Sequence, residues 1–154
     1  MQPGHAPTPF SAAEIAAACR PGRVNVYRIT GEGRPPMVMR WEFTGGDDEQ
    51  GEYATATFAE DGSPAAPPGR ATARWVELQS HASTPADRTV IDTEEIDVPA
   101  GRFACWRYAV DEGGEQSILW FALDLPGPPV RRVGMRDGTE ISSMTLIEIE
   151  RPRA

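Results

Sequence analysis

Two histidines, His5 and His81, and two cysteines, Cys19 and Cys105, are the only nitrogen and sulfur side chains suited to holding a metal. A zinc site needs three or four converging ligands. Cys19, His81 and Cys105 stand far apart and no CxxC is present, so the spacing predicts neither a metal site nor a cofactor. Nucleophilic catalysis fares no better. There is no GxSxG elbow, and a Ser–His–Asp arrangement would have to be built around His81 from Ser80, Ser83 and Asp87, which are merely sequence neighbours. Cys105, on an apolar run between Phe103 and Trp106, is placed to pack rather than to react.

Phosphate and carboxylate chemistry are equally thin. GEGRPP at 31–36 has two glycines, but Pro35-Pro36 stand where a phosphate-binding helix would start and remove the amide donors it would offer. GGDDEQG at 45–51 lacks the DxDxDG spacing of a calcium loop and reads as a solvated turn. Glu94 and Glu95 are adjacent on an extended run, so their side chains leave opposite faces and cannot work as an acid–base pair. No catalytic residue is expected.

The aromatic residues are more suggestive. Trp41, Trp75, Trp106 and Trp120, with Phe43, Phe103, Tyr108 and Phe121, are plentiful for a small sheet. One reading is an apolar cavity that binds a small molecule or a partner segment, with Trp41, Phe43, Trp106, Tyr108 and Trp120 as ligand-binding residues. The other is a core filled by these rings against a helix.

The elements that must position them follow from periodicity. Residues 1–10 read as a flexible arm, and 11–154 as one β-rich domain. Ser11 and Glu14 form a capping box, and Phe10 and Ile15 a hydrophobic staple, for a helix over 12–19 that ends at Pro21-Gly22. From Arg23 onward the period is two. Strands are expected at 23–30, 37–43, 53–60, 89–98, 102–110, 116–123, 130–136 and 139–150. Residues 63–70 read as a proline-rich connector. Residues 71–82 read as a second short helix, with Thr72 as a candidate cap and Trp75, Leu78 and Ala82 on its apolar face. Gln116–Leu123 is apolar on both faces, as in a central strand covered on both sides. Asp137-Gly138 signals a tight hairpin. The expected fold is mainly β: an antiparallel curved sheet, or half-barrel, of about eight strands with an N-terminal helix and a second short one.

The C-terminal two fifths carries a family resemblance. VPAGRFACWRYAV at 98–110, LWFALDLPGPPV at 119–130 and the hairpin around Asp137-Gly138 resemble DUF3108 or TapB-like bacterial proteins over about 91–146. The resemblance implies a curved antiparallel sheet wrapped around a helix, similar to lipoprotein-carrier folds, and implies no activity.

Composition bounds the rest. The chain has 154 residues, and apolar residues make up 40% and charged ones 25%, so a core can form without metal or disulfide staples. Net charge is −8 and all 15 basic residues are arginine. A phosphate backbone would be repelled, so no nucleic-acid partner is expected. No window is long and apolar enough for a membrane span, and residues 1–10 do not read as a secretory leader. The expected compartment is the cytoplasm, or the periplasm and envelope if a leader has been trimmed. Cys19 and Cys105 are free thiols in the first case and a candidate bridge in the second. The leading expectation is therefore a non-enzymatic module binding an apolar small molecule or partner segment. The alternative is an interaction protein that uses exposed sheet edges for docking or a homodimer, and a third is an enzyme with a dispersed carboxylate or arginine site.

Overall fold

The structure, a computed structural model, describes residues 4–152. Ser11 opens α1 (Ala12–Ala18). Its hydroxyl accepts from the Glu14 amide at 3.1 Å, and the Glu14 carboxylate accepts from the Ser11 amide at 3.0 Å. That is the reciprocal capping box read from the sequence. Phe10 and Ile15 are buried in the same cluster, so the staple sets the direction in which the chain enters the helix.

Nine strands follow: β1 (Val24–Gly31), β2 (Arg34–Gly46), β3 (Gln50–Ala59), β4 (Pro64–Arg74), β5 (Thr89–Val98), β6 (Gly101–Asp111), β7 (Glu115–Ala122), β8 (Arg131–Arg136) and β9 (Thr139–Glu150). They form one open sheet, all neighbours antiparallel, in the order β4-β3-β2-β1-β9-β8-β7-β6-β5. The first four strands step outward to one edge. Helix α2 (Trp75–His81) and a short 3-10 turn (Ala86–Arg88) then carry the chain to the opposite edge. The last five strands step inward until β9 pairs with β1. Bulges between Val26 and Tyr27, near Gly45 and near Gly134 add local twist. This is the curved mainly-β sheet with helices that the periodicity predicts.

Two local readings need correction. Residues 63–70 are not a connector: they supply the start of β4, the ninth strand. Pro64, Pro67 and Pro68 sit on a strand that pairs only with β3, where a missing outward N–H costs nothing, and its register slips twice to accommodate them. The second helix starts at Trp75 rather than near Thr72. Its cap is Arg74, with no side-chain hydrogen bond, because Gly51–Glu52 of β3 hold Ala73 and Thr72 extended.

Residues 1–3 lie outside the described residues. From Gly4 on, the chain lies against the domain. The Ala6 amide donates to Thr84 O at 2.8 Å, Tyr108 Oη donates to Pro7 O at 2.6 Å, and Ala6 and Phe10 are buried. Apolar side chains in the arm, Ala6 and Phe10, supply the reason.

Burial separates into two clusters. One joins Phe10, Ile15 and Cys19 to Phe43, Tyr108, Phe121 and the α2 residue Trp75. The other gathers Trp120, Ile118, Phe103, Tyr27, Leu146 and the loop residues Leu125 and Val130. Strand β7 feeds both, Phe121 entering the first and Ile118 and Trp120 the second, as its two apolar faces predict.

Candidate binding groove

Cross-strand pairing sorts the aromatics by face. Tyr108 opposes Leu119 and Trp106 opposes Phe121, so these four share the face that α1 and α2 cover. Arg107 opposes Trp120, and Trp120 opposes Arg131, on the other face. Between the helices and their sheet face run two adjoining hollows. The first, about 180 Å³, is walled by Phe10, Ile15, Trp41, Leu78 and Leu119. The second, about 480 Å³, reaches Tyr108, Val110, Ser117, Glu112 and Arg132. Ala82, Leu119, Phe121, Pro129 and Met144 border both, so the hollows form one groove, apolar at the α1 end and rimmed by charge at the other.

The walls are laced in place. Gln79 on α2 accepts from the Ala12 amide at 2.9 Å and donates to Thr8 Oγ1 at 3.1 Å, tying α2 to α1 and to the arm. His5 Nδ1 and Ser83 Oγ lie 2.7 Å apart. Beneath the first cluster, the Trp75 indole donates to Asp47 O at 2.8 Å. Asp47 in turn accepts from the Glu49 and Gln50 amides, which hold its carboxyl below the usual range. The acidic stretch 45–51 thus spends a carboxylate on its own turn.

A buried polar chain runs behind the groove. Arg23 is 1% exposed. Its Nε donates to Asn25 Oδ1 at 3.2 Å, Asn25 Nδ2 donates to Tyr27 Oη at 2.8 Å, and Tyr27 Oη donates to Pro129 O at 3.0 Å. Arg23 Nη1 also donates to Pro126 O and to Cys19 Sγ. These bonds anchor the β7–β8 connection, whose Gly127–Pro129 form part of the groove wall. Gly127 has φ +127, and a Cβ there would stand 3.0 Å from Cys19 Sγ and 3.1 Å from Arg23 Nη1, so only glycine lets the loop close over the guanidinium. Burial raises the Tyr27 phenol to about 12 and the Cys19 thiol to about 11, and it lowers the Arg23 pKa. Arg23 Nη2 and Trp41 Nε1 find no hydrogen-bond partner among the described residues.

The five residues expected to bind a ligand part company. Trp41 lines the first hollow and Tyr108 the second. Phe43 is fully buried behind Trp41, its ring stacked 5.5 Å away. Trp106 is 36% exposed and borders neither hollow. Trp120 lies on the far face, its indole donating to Glu94 Oε1 at 3.3 Å and its ring flanked by the Arg107 and Arg131 guanidinium groups at 5.7 and 5.1 Å. Sequence reasoning passed over Leu119, Leu78, Met144 and the staple pair as groove residues. The signal available was β7, apolar on both faces.

The serine–histidine contact among the described residues is that of His5 with Ser83, not one built on His81. Among the described residues, no three His, Cys, Asp or Glu side chains converge as a metal site. Cys19 and Cys105 are free and buried in different clusters, and burial raises each thiol to about 11, which keeps it protonated near neutrality. Glu94 and Glu95 oppose Cys105 and Ala104, one on each face.

No family model matches this sequence, and no curated protein matches it. Solved structures do match in fold. A Bacteroides fragilis protein assigned as exported, described as having a YmcC-like fold, aligns at TM-score 0.59 with 10% identity, over 86% of this chain and 97% of its own. The Pseudomonas aeruginosa MucA/MucB complex aligns at 0.60 with 12% identity, over 93% of this chain and 58% of the matched one. A hypothetical Chlamydia trachomatis protein aligns at 0.53 with 12% identity, over 94% of both. At identities this low the matches show a shared β-rich fold and nothing more. No helix of the chain is long and apolar enough to cross a membrane.

Proposed function

We propose that this chain is a non-enzymatic binding domain whose groove, between the two helices and the sheet, receives an apolar segment of a partner protein. The observation that carries the reading is the continuity of apolar wall from Phe10 and Ile15 through Leu119 and Phe121 to Met144, open to solvent and held by hydrogen bonds that do not depend on an occupant. The MucB neighbour, solved with MucA bound, supports a fold suited to protein recognition. Trp41 and Tyr108 are the aromatic contacts, with Leu119 at the centre of the groove. The single sheet supports reading residues 11–154 as one domain. A second reading, an apolar small molecule, is favoured by the larger hollow, whose 480 Å³ lies in the range of small-ligand pockets.

A fluorescent apolar dye separates these readings from a merely packed core. Wild-type protein should bind the dye and quench or shift tryptophan emission. Leu119→Glu should abolish binding while the protein keeps a cooperative melt. An amphipathic helical peptide should displace the dye if a partner segment is the occupant, and a medium-length fatty alcohol should do so if a small molecule is. Failure of the wild type to bind dye, or unchanged binding in Leu119→Glu, would reject the groove.

A further inference from the structure

The sheet is open, so it has two edges, and the two are built differently. Strand β4 carries Pro64, Pro67 and Pro68 and two register shifts. Proline and irregular register are the usual devices that keep an edge from pairing. Strand β5 has neither. Its ten residues, TVIDTEEIDV, contain no proline or glycine and pair with β6 in unbroken register from Thr89–Val110 to Val98–Gly101. Among the described residues, none from Val90 to Asp97 makes a backbone hydrogen bond outside β6. The hairpin tip is held, since the Ala100 amide donates to Leu146 O. Val90–Glu95 is therefore an unbroken edge whose outward amides and carbonyls have no strand partner among the described residues, and Val90 is 59% exposed.

The side chains of this edge are of one sign. Asp92, Glu94, Glu95 and Asp97 are all exposed and β5 holds no basic residue. The neighbouring β6 supplies Arg102, which pairs with Glu95 at 3.3 Å and Asp97 at 3.0 Å, and Arg107, 3.8 Å from Glu94. Asp92 has no ion pair among the described residues. Four carboxylates against two guanidinium groups leave the edge acidic, in a chain whose net charge is already −8. A second copy of β5 laid alongside would set carboxylates against carboxylates, which opposes pairing.

We propose that β5 is a strand-addition site for an extended basic segment of a partner protein. Backbone pairing along Val90–Glu95 supplies the affinity, and arginine or lysine at alternate positions answers Asp92 and Glu94, which share one face of the strand. The site is separate from the groove and stands or falls independently of it.

The test uses a blocked peptide of about ten residues alternating arginine and valine, an acidic twin with glutamate for arginine, and a basic twin N-methylated at every central residue. Calorimetry should show the basic peptide binding at low salt and weakening in about 1 M salt, where the screening length falls to about 3 Å. The N-methylated twin should bind at least about tenfold more weakly, because it lacks the donors. The acidic twin should not bind. Asp92→Lys/Glu94→Gln, both exposed and the glutamine keeping an acceptor for the Trp120 indole, should weaken the basic peptide by about tenfold or more with an unchanged melting temperature. In the wild type, peptide should slow amide exchange in β5 and leave β4 unaffected. Equal binding of the N-methylated twin, protection away from β5, or no binding of the basic peptide would overturn the proposal, the last leaving the carboxylates only as a guard against self-pairing. Concentration-dependent dimers that protect β5 amides would overturn it in favour of a second copy.

Discussion

At the scale of single residues, the consequential finding is how β1 uses its inward face. Alternation puts Val24 and Val26 on one face and Tyr27 and Ile29 on the other, and the polar Arg23 and Asn25 share the Tyr27 face. Both are almost fully buried and hydrogen-bonded in series to Tyr27. Removing the Tyr27 hydroxyl leaves Asn25 Nδ2 and Pro129 O without that partner. Tyr27→Phe should therefore lower stability by about 1–3 kcal/mol, read from the urea midpoint at constant slope. The thiols give a pH dependence. Cys19 and Cys105 are raised from 9.0 to about 11, chiefly by burial. A group that is harder to deprotonate when folded contributes stability that is complete below its unfolded pKa and is lost as pH rises through the folded one. Stability should therefore fall between pH 9 and 11, and the Cys19→Ala/Cys105→Ala variant should show a shallower fall over that window. A flat wild-type profile there would mean the thiols are not desolvated as described.

At the scale of elements, caps and turns behaved as local chemistry predicts, and edges did not. Both halves of the Ser11–Glu14 box are formed. Ser11→Ala should cost about 1 kcal/mol in thermal or chemical denaturation, and no loss would mean that α1 adds little to stability. The β8–β9 turn places Asp137 at φ 51 and Gly138 at φ 77, both in the left-handed region that asparagine, aspartate and glycine tolerate. Asp137→Val should cost about 1–2 kcal/mol, while Asp137→Gly should be close to neutral. Strand β4 was illegible because three prolines in eight residues are a connector signal. Their cost disappears only at an edge, and which strand lies at an edge is not a local property.

At the scale of the whole molecule, the arm is part of the wall of the groove. Its bonds from Ala6, Pro7 and Thr8 run to Thr84, Tyr108 and Gln79, and Phe10 packs edge-on against Phe121 at 6.3 Å. Deleting residues 1–9 removes these three hydrogen bonds together with those of His5 to Ser83 and of the Ala86 amide to Gly4 O, at about 1 kcal/mol each, and uncovers that wall. The melting temperature should fall by several degrees, at about 2–4 °C per kcal/mol for a chain of this size, and apolar dye should bind more strongly. An unchanged melt would show that the arm's contacts carry no net energy.

Read without coordinates, the residues already specified an antiparallel β protein with a capped N-terminal helix, the hairpin at Asp137-Gly138, and a strand β7 covered on both faces. Each of these is a period or a turn, legible over a few neighbouring positions. Tertiary structure alone decided that Trp41 and Tyr108 face the groove while Trp120 lies on the far side between two arginines, that Arg23 is buried, and that β4 and β5 are the edges. Those outcomes depend on which distant strands become neighbours: β1 meets β9 more than a hundred residues along the chain, and that single pairing determines which side chains share a face and which strands are left with only one partner.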